Sequence, residues 1–500
     1  MPKPSLVLGC DIGSSSVKAS LLDIDTGKSA AAAFSPESEI KIQSPNKGWA
    51  EQNPAFWWQH LVHAVKSAMK KAGAKADEVK AIGITYQMHG LVLIDEHQTV
   101  LRPSIIWCDS RAPSIGEAAF REIGEEYCLE HYLNSPGNFT ASKMKWVIDN
   151  EPEVFEKAHK IMLPGDYISL KMTGNISTTH TGLSEGILWD YAEKRTAHVL
   201  MQHYGIPDRL LPEAHPSFHE HGTLLADTAD ELGLKKGTPI TYKAGDQPNN
   251  AFSLNVLNPG ETAATAGTSG VIYAVTDKRA YDEKSRVNTF IHVNNREELP
   301  RNGVLLCVNG TGILNSWLRH NLSDTGTLDY NEMNRLAMEI PHGSDGLTIL
   351  PFGNGAERIL NNRDIGSHFL NLDFNRHNRA HLFRAAQEGI SFALRYGFEI
   401  MNEMGLKAER VKAGRANMFR SPLFRELFVN STGSVLELYR TDGSEGAARG
   451  AGIGAGIFSN ASDAFHGLEK LEVIEPDPEQ MKIYEELYQN WLSNLNHFRK

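Results

Sequence analysis

Short apolar runs separated by glycine-containing turns open the chain. Leu6 to Cys10, Val17 to Ile24 and Ala30 to Phe34 are rich in strand-favouring side chains, and Asp25-Thr26-Gly27 punctuates the last two, so residues 5–34 predict a β-meander. A polar link through Gly48-Trp49-Ala50-Glu51-Gln52 follows, and the period then changes. Phe56, Trp57, His60, Leu61, Ala64, Val65 and Met69 recur at helical spacing up to Gly73. Pro54 opens that helix, where its missing N–H costs nothing. Val79 to Thr85 reads as a buried strand, and Leu91 to Asp95 with Val100 to Trp107 as a hairpin around Glu96-His97-Gln98.

The second half repeats the scheme. Thr262 to Ala266 and Val271 to Val275 flank the turn Gly267-Thr268-Ser269-Gly270, and an amphipathic helix runs from about Arg379 to Met404, with Gly405 as its stop signal. Lys407-Ala408-Glu409-Arg410-Val411-Lys412-Ala413 then echoes Lys75-Ala76-Asp77-Glu78-Val79-Lys80-Ala81, which follows the first helix. Helix end, polar link and strand start recur together, which predicts an internal duplication. The expected boundary falls just before Gly245, giving domains 1–244 and 245–500. Residues 110–245 read as an elaboration of the first half, and a helix from Pro478 to Phe498, with Tyr484, Leu487, Trp491, Leu492 and Leu495 on one face, closes the chain.

Composition narrows the class. At 500 residues the chain is too long for one core and predicts two domains. A formal charge of −11 argues against a general nucleic-acid or membrane-surface role, because such binders carry a basic face. Cys10, Cys108, Cys128 and Cys307 form no CxxC or Cys/His cluster, so neither a disulfide framework nor a zinc site is expected, and a reducing, cytoplasmic setting is. The run before Cys10 loosely resembles a lipoprotein cleavage site, but it is only as long as a strand. No apolar run approaches the roughly 20 residues of a membrane span.

Chemistry gathers at the glycine turns. Asp11 lies in Leu6-Val7-Leu8-Gly9-Cys10-Asp11-Ile12-Gly13-Ser14-Ser15-Ser16, and Asp246 in Lys243-Ala244-Gly245-Asp246-Gln247. Phosphoryl transfer needs a carboxylate near magnesium, backbone amides around phosphates and a base for the acceptor hydroxyl. Asp11 with Gly13, Ser14 and Ser15 supplies the first element. Gly267, Thr268 and Ser269 supply the second, since successive amides in such a turn form an anion-binding concavity. Asp246 is the candidate base. Taken singly each is a common hairpin turn; the ordered set points to a phosphoryl-transfer enzyme with its site between two related halves.

These segments, together with Trp49-Ala50-Glu51-Gln52-Asn53-Pro54, Gln87-Met88-His89-Gly90, Trp107-Cys108-Asp109-Ser110-Arg111 and Leu163-Pro164-Gly165-Asp166-Tyr167, resemble the FGGY family of carbohydrate kinases, and within it the xylulokinases, over essentially the whole length. The resemblance implies an α/β fold of two ribonuclease-H-like domains of the actin/hexokinase superfamily, with a cleft between them that closes on ligand. It implies ATP and Mg²⁺ as cofactors and a small sugar as substrate, with no nucleic-acid or membrane partner; a homodimer is common in the family. Asp246 matches the catalytic aspartate that takes the proton of the C5 hydroxyl, and as an ordinary Asp it is expected to be ionised at pH 7. Asp11, with Asp246, matches the aspartates near Mg²⁺, which keeps much of its water. Met88, His89 and Gln247 fall on the sugar side; Gly13, Ser14, Ser15, Gly267, Thr268, Thr311, Gly414 and Asn417 fall on the nucleotide side. Thr311 or Asn309 reads equally as a helix N-cap, and Asp109 with Arg111 as an internal ion pair or a sugar contact. Three departures stand out. Gln247 replaces a frequent Asn. Lys412-Ala413-Gly414-Arg415-Ala416-Asn417-Met418-Phe419 replaces the usual glycine-rich adenosine stretch, leaving Arg415 or Asn417 to substitute. Ala356-Glu357-Arg358 stands for Gly-Glu-Arg, read as structural near the domain interface.

Overall fold

The computed structural model describes residues 5–323 and 328–499. Its first half opens with the expected meander, β1 (Leu6–Ile12), β2 (Val17–Asp23) and β3 (Ser29–Ser35). Helix α1 (Pro54–Ala72) starts where the Asn53 side chain accepts from the Ala55 amide, and it ends at Gly73, whose φ of 63° a residue with a Cβ rarely takes. Strand β4 (Val79–Tyr86) follows, then α2 (Thr140–Asn150), α3 (His180–Glu185), β5 (Pro239–Gly245) and α4 (Asp246–Ser253). The second half runs β6 (Thr262–Ala266), β7 (Gly270–Thr276), β8 (Asn302–Val308), α5 (Gly312–Asn321), α6 (Arg379–Glu403), β9 (Arg410–Gly414), β10 (Val435–Arg440), α7 (Gly443–Gly454) and α8 (Pro478–Phe498).

The duplication is plain in the sheets. One has the order β5-β4-β1-β2-β3, with the short strand Gly222–Thr223 outside β5; the other has β10-β9-β6-β7-β8, edged by Glu469–Ile474 and Asn288–Ile291. In each, three antiparallel strands form the meander, one further strand pairs in parallel with its first member, and another pairs in parallel with that one. The expected hairpin of residues 91–107 forms only in part. Leu91 bridges Ile105 and Ile94 bridges Val100, but Val92–Ile94 pairs with Lys160–Met162, and Ser104–Ile105 pairs with Glu51–Gln52. Pro103 breaks the ladder there because it has no N–H to give.

Alternation along β1 gives its sheet two faces. Leu6, Leu8, Cys10 and Ile12 join the core with Trp57, Leu61 and Val65 of α1. Val7 turns the other way and packs with Ala447, Ala448 and Ala451 of α7. That helix follows the last parallel strand of the second sheet yet lies across the first one. The approach is backbone against backbone: a Cβ on Gly9 would stand 1.9 Å from the Ser444 carbonyl oxygen, and one on Gly83 would stand 2.0 Å from that of Ala447. Helix α4 lies alongside, with the Asn249 amide donating to the Gly443 carbonyl at 2.8 Å. Each half thus contributes its helix after the last parallel strand to one seam. In the second half α6 is buried along most of its length, and Tyr484, Tyr488, Trp491 and Leu495 of α8 join its core.

Candidate active site

The register of the parallel strands brings the sequence motifs to one edge. Asp11 on β1 stands opposite Thr85 on β4, and Gly245 on β5 stands opposite Tyr86. The turns after these strands therefore emerge side by side: Gly13-Ser14-Ser15, Met88-His89 and Asp246-Gln247. In the second sheet Ala264 faces Ala413 and Gly414 faces Tyr439, so the Gly267–Gly270 turn, Gly414 to Asn417, and Asp442 emerge in the same manner. Ligands of open α/β sheets bind beyond such strand ends. The seam brings the two edges together, because a Cβ on Gly443 would lie 2.6 Å from Asp11 Oδ2. Asp11, far from Gly443 in number, thus meets the second half directly.

Asp246 is the first residue of α4. Burial and then the nearby Asp11 push its carboxyl up to about 7, against bonds from Gln247 that pull it down. This corrects the expectation of an ordinary ionised Asp: the fold holds the group near neutrality. Burial also raises Asp11, to about 6; Lys18 opposes the shift and Asp442 adds to it. Behind Asp246 lies Glu185, fully buried beside the Tyr86 side chain. A Cβ on Gly245 would stand 2.4 Å from Glu185 Oε2 and 2.6 Å from Met88 Cγ, so only glycine fits there. Burial and then Asp246 drive the Glu185 pKa well up.

His89 adjoins this group. Its Nδ1 lies 2.9 Å from the Glu185 carbonyl, and its ring packs on Phe139 at 4.8 Å and Phe290 at 5.4 Å. Burial, with a contribution from Lys143, lowers its pKa to about 3, so the ring is neutral. Lys143 is itself fully buried and donates to the carbonyls of His89 at 2.8 Å and Ile106 at 3.0 Å.

On the second edge the carbonyls of Gly267 and Thr268 accept from the amides of Gly312 and Ile313 at 3.0 and 3.1 Å, fixing the turn to the start of α5. Asn417 closes on the same turn: a Cβ on Gly267 would lie 3.3 Å from its Nδ2. Thr268, Arg415 and Asn417 are exposed. Thr311 is buried behind the turn and its hydroxyl donates to the Val308 carbonyl at 2.9 Å, so it supports the turn from within and occupies the N-cap position without a side-chain cap. Glu357 accepts from the amides of Asn309 and Gly310, both at 3.0 Å, while Arg358 bonds Ser135 at 2.7 Å and the Ser285 carbonyl at 2.9 Å, tying the halves together. Ser14 is held by Gln52 Nε2 on its carbonyl at 2.7 Å and by Trp107 Nε1 on its hydroxyl at 3.2 Å; Ser15 is exposed.

Asp109 and Arg111 form an internal ion pair at 2.7 Å, shared with Glu51 at 2.7 Å, with the guanidinium stacked 3.9 Å over Trp49. Glu185, Lys143 and Asp442 were not among the residues picked from the sequence. Asp442 had a usable signal, since Thr441-Asp442-Gly443 follows an apolar strand much as Gly245-Asp246 does. Glu185 and Lys143 had none, because a charge on a short helix ordinarily reads as solvated surface. No helix among the described residues is long and apolar enough to cross a membrane.

Residues 6–253 match the N-terminal domain of the FGGY family of carbohydrate kinases, and residues 262–458 match its C-terminal domain. The xylulose kinase of Escherichia coli (strain K12) is 30% identical over 460 residues, spanning 91% of this chain and 90% of its own. That of Haemophilus influenzae (strain ATCC 51907 / DSM 11121 / KW20 / Rd) is 28% identical, spanning 98% and 99%. The crystal structure of xylulose kinase from Rhodospirillum rubrum superposes with a TM-score of 0.85 at 25% identity, covering 99% of this chain and 100% of that one. With both family halves matched in order, and their strand ends meeting along one seam, the protein belongs to the FGGY family of carbohydrate kinases.

Proposed function

We propose that the protein transfers the γ-phosphoryl group of ATP to the C5 hydroxyl of D-xylulose, giving D-xylulose 5-phosphate. The observation that carries this reading is that Asp246 and the Met88-His89 pair follow the neighbouring parallel strands β5 and β4, with Met88 packed against Gly245. The xylulose kinases named above, matched over nearly their whole length, support the choice of sugar.

Asp246 takes the proton of the hydroxyl as its oxygen bonds the γ-phosphorus and the bond to the β-phosphate oxygen breaks, releasing ADP. A base titrating near 7 suits this work at neutral pH. Met88 packs on the carbon skeleton, His89 and Gln247 bond hydroxyls, and Gly13, Ser14, Ser15, Gly267 and Thr268 line the phosphates. Asn417 and Gly414 lie on the adenosine side, in place of the usual glycine-rich stretch. Among the described residues no three side chains form a metal cluster, but burial raises the proton affinity of both Asp11 and Asp246, and Asp11 adds to that of Asp246, a cost a divalent cation relieves. That donor set fits magnesium, which keeps water and phosphate oxygens as ligands; bound there, it would neutralise charge on the phosphates. We divide the halves at Gly245, sugar in residues 1–244 and nucleotide in 245–500, and take them to close on both ligands.

Gln247, in place of Asn, favours a second reading, a kinase of the same fold acting on another ketose or pentitol. An ADP-release assay over a sugar panel separates the two: the highest kcat/KM falls on D-xylulose, and no preference for it would overturn the proposal.

A further inference from the structure

His89 stands at φ 61°, a conformation disfavoured for any residue with a Cβ. Two buried groups hold it there from opposite ends. Lys143 of α2 grips its backbone carbonyl, and the carbonyl at the end of α3, that of Glu185, lies 2.9 Å from Nδ1. A carbonyl only accepts, so Nδ1 carries the proton, and the neutral ring offers a bare lone pair at Nε2. Phe139 and Phe290 wedge the ring in this setting. Lys143 bonds two carbonyls at the strand turns, those of His89 and Ile106. Burying an ammonium is costly, and the shape this one secures is that of the His89 turn.

We propose that Lys143 and the Glu185 carbonyl lock His89 as a hydrogen-bond acceptor, so that this position of the site reads a hydroxyl of the sugar and never its carbonyl oxygen. The proposal rests on the sugar-kinase reading above and adds Lys143 as a positioning residue, acting through His89. An imidazole free to exchange tautomers would accept either group; a locked one discriminates, because a carbonyl facing a bare Nε2 has no proton to share.

Nitrogen-15 NMR of the ligand-free protein labelled at histidine is the first test. One neutral imidazole should show Nδ1 protonated and Nε2 bare, and this signal should vanish in His89→Asn. A protonated Nε2 in the wild type would overturn the proposal. Lys143→Met should raise the KM for D-xylulose about tenfold or more, leave kcat within about threefold, and average the His89 tautomers. A fall in kcat alone, with KM and tautomer unchanged, would also overturn it. If Lys143→Met does not fold, wild type and His89→Asn are compared on monodeoxy D-xyluloses and on xylitol, which lacks the carbonyl. Loss of sensitivity to His89→Asn with one deoxy sugar supports the lock; loss with xylitol alone refutes it. If the wild type phosphorylates no pentose at all, the sugar assignment fails, while the tautomer measurement still decides the lock.

Discussion

Replacing Asp246 by asparagine should cost activity and add stability, and the two effects can be sized separately. Losing a general base lowers kcat by about 10²–10⁴-fold. The stability term follows from titration. The carboxyl moves from 3.8 to about 7 on folding, chiefly through burial and then Asp11. Three units at 1.36 kcal/mol each set a ceiling of about 4 kcal/mol. Asp246 keeps some solvent access and shares its field with Asp11, so about 1–2 kcal/mol is the working figure. The sign is fixed by which state holds the proton. Between pH of about 4 and 7 the folded protein keeps a proton that the unfolded chain has lost, so ionisation weakens the fold progressively as pH rises and by a constant amount above 7. The neutral variant escapes this cost. For a chain of this size about 1 kcal/mol moves Tm by roughly 1 °C. Thermal melts without nucleotide should place Asp246→Asn about 1–2 °C above wild type at pH of about 8, with roughly a third of that gain left at about pH 5. A variant that melts below wild type at the higher pH, or that keeps a tenth of the activity, would refute the reasoning.

Other consequences are as direct. Gly9→Ala or Gly83→Ala drives a methyl into the carbonyl of Ser444 or Ala447, which are backbone atoms that cannot swing away, so either should lower Tm by several degrees or abolish soluble expression. Arg111→Met leaves buried Asp109 without its guanidinium and should cost about 3–5 kcal/mol in denaturant unfolding, with sugar KM changed far less. Asn417→Ala removes the side chain beside Gly267 and should raise the KM for ATP about three- to tenfold while sparing that for sugar; equal effects on both would count against a nucleotide role. Small-angle scattering should show compaction with sugar plus a nonhydrolysable ATP analogue, since water must be kept from the γ-phosphate.

Much of the architecture was legible in the chain. The two meanders, α1 and α6 with their glycine stops, and the turns at Asp11, Asp246 and Gly267 follow from period and punctuation, which are local properties. What escaped depends on contacts between distant segments. Ser104–Ile105 pairs with Glu51–Gln52 because Pro103 breaks the simple ladder, and Arg102, bonded to Glu51 at 2.6 Å, holds that stretch in place. The crossing of α7 could not be read either; Gly443 to Gly454 looks like a poor helix until its glycines are seen to make room for Ser253, the rings of Tyr242 and Phe458, and the Thr241 carbonyl. At the candidate site the carboxylates announced themselves by their turns, and the Met-His pair by its resemblance to the family motif. Lys143 and Glu185 did not, since their meaning lies in their burial, in the carbonyls Lys143 reaches and in the carbonyl Glu185 offers to His89. Asp246 was found by position, but its proton affinity depends on how deeply the fold buries it and, after that, on Asp11 beside it.

The roof that α7 lays over the first sheet has a price in the order of synthesis. Everything from Leu6 to Gly245 is translated before Gly443 emerges, so the face bearing Gly9 and Gly83 stays bare for most of the time the ribosome is at work. A nascent N-terminal half can pair its strands but not finish its core, and such exposed apolar surface invites aggregation and chaperone capture. The halves match one another in topology, yet the first leans on the second: a fragment stopping at Ser253 should be recovered as inclusion bodies, and supplying residues 254–500 in trans should restore part of it to solution.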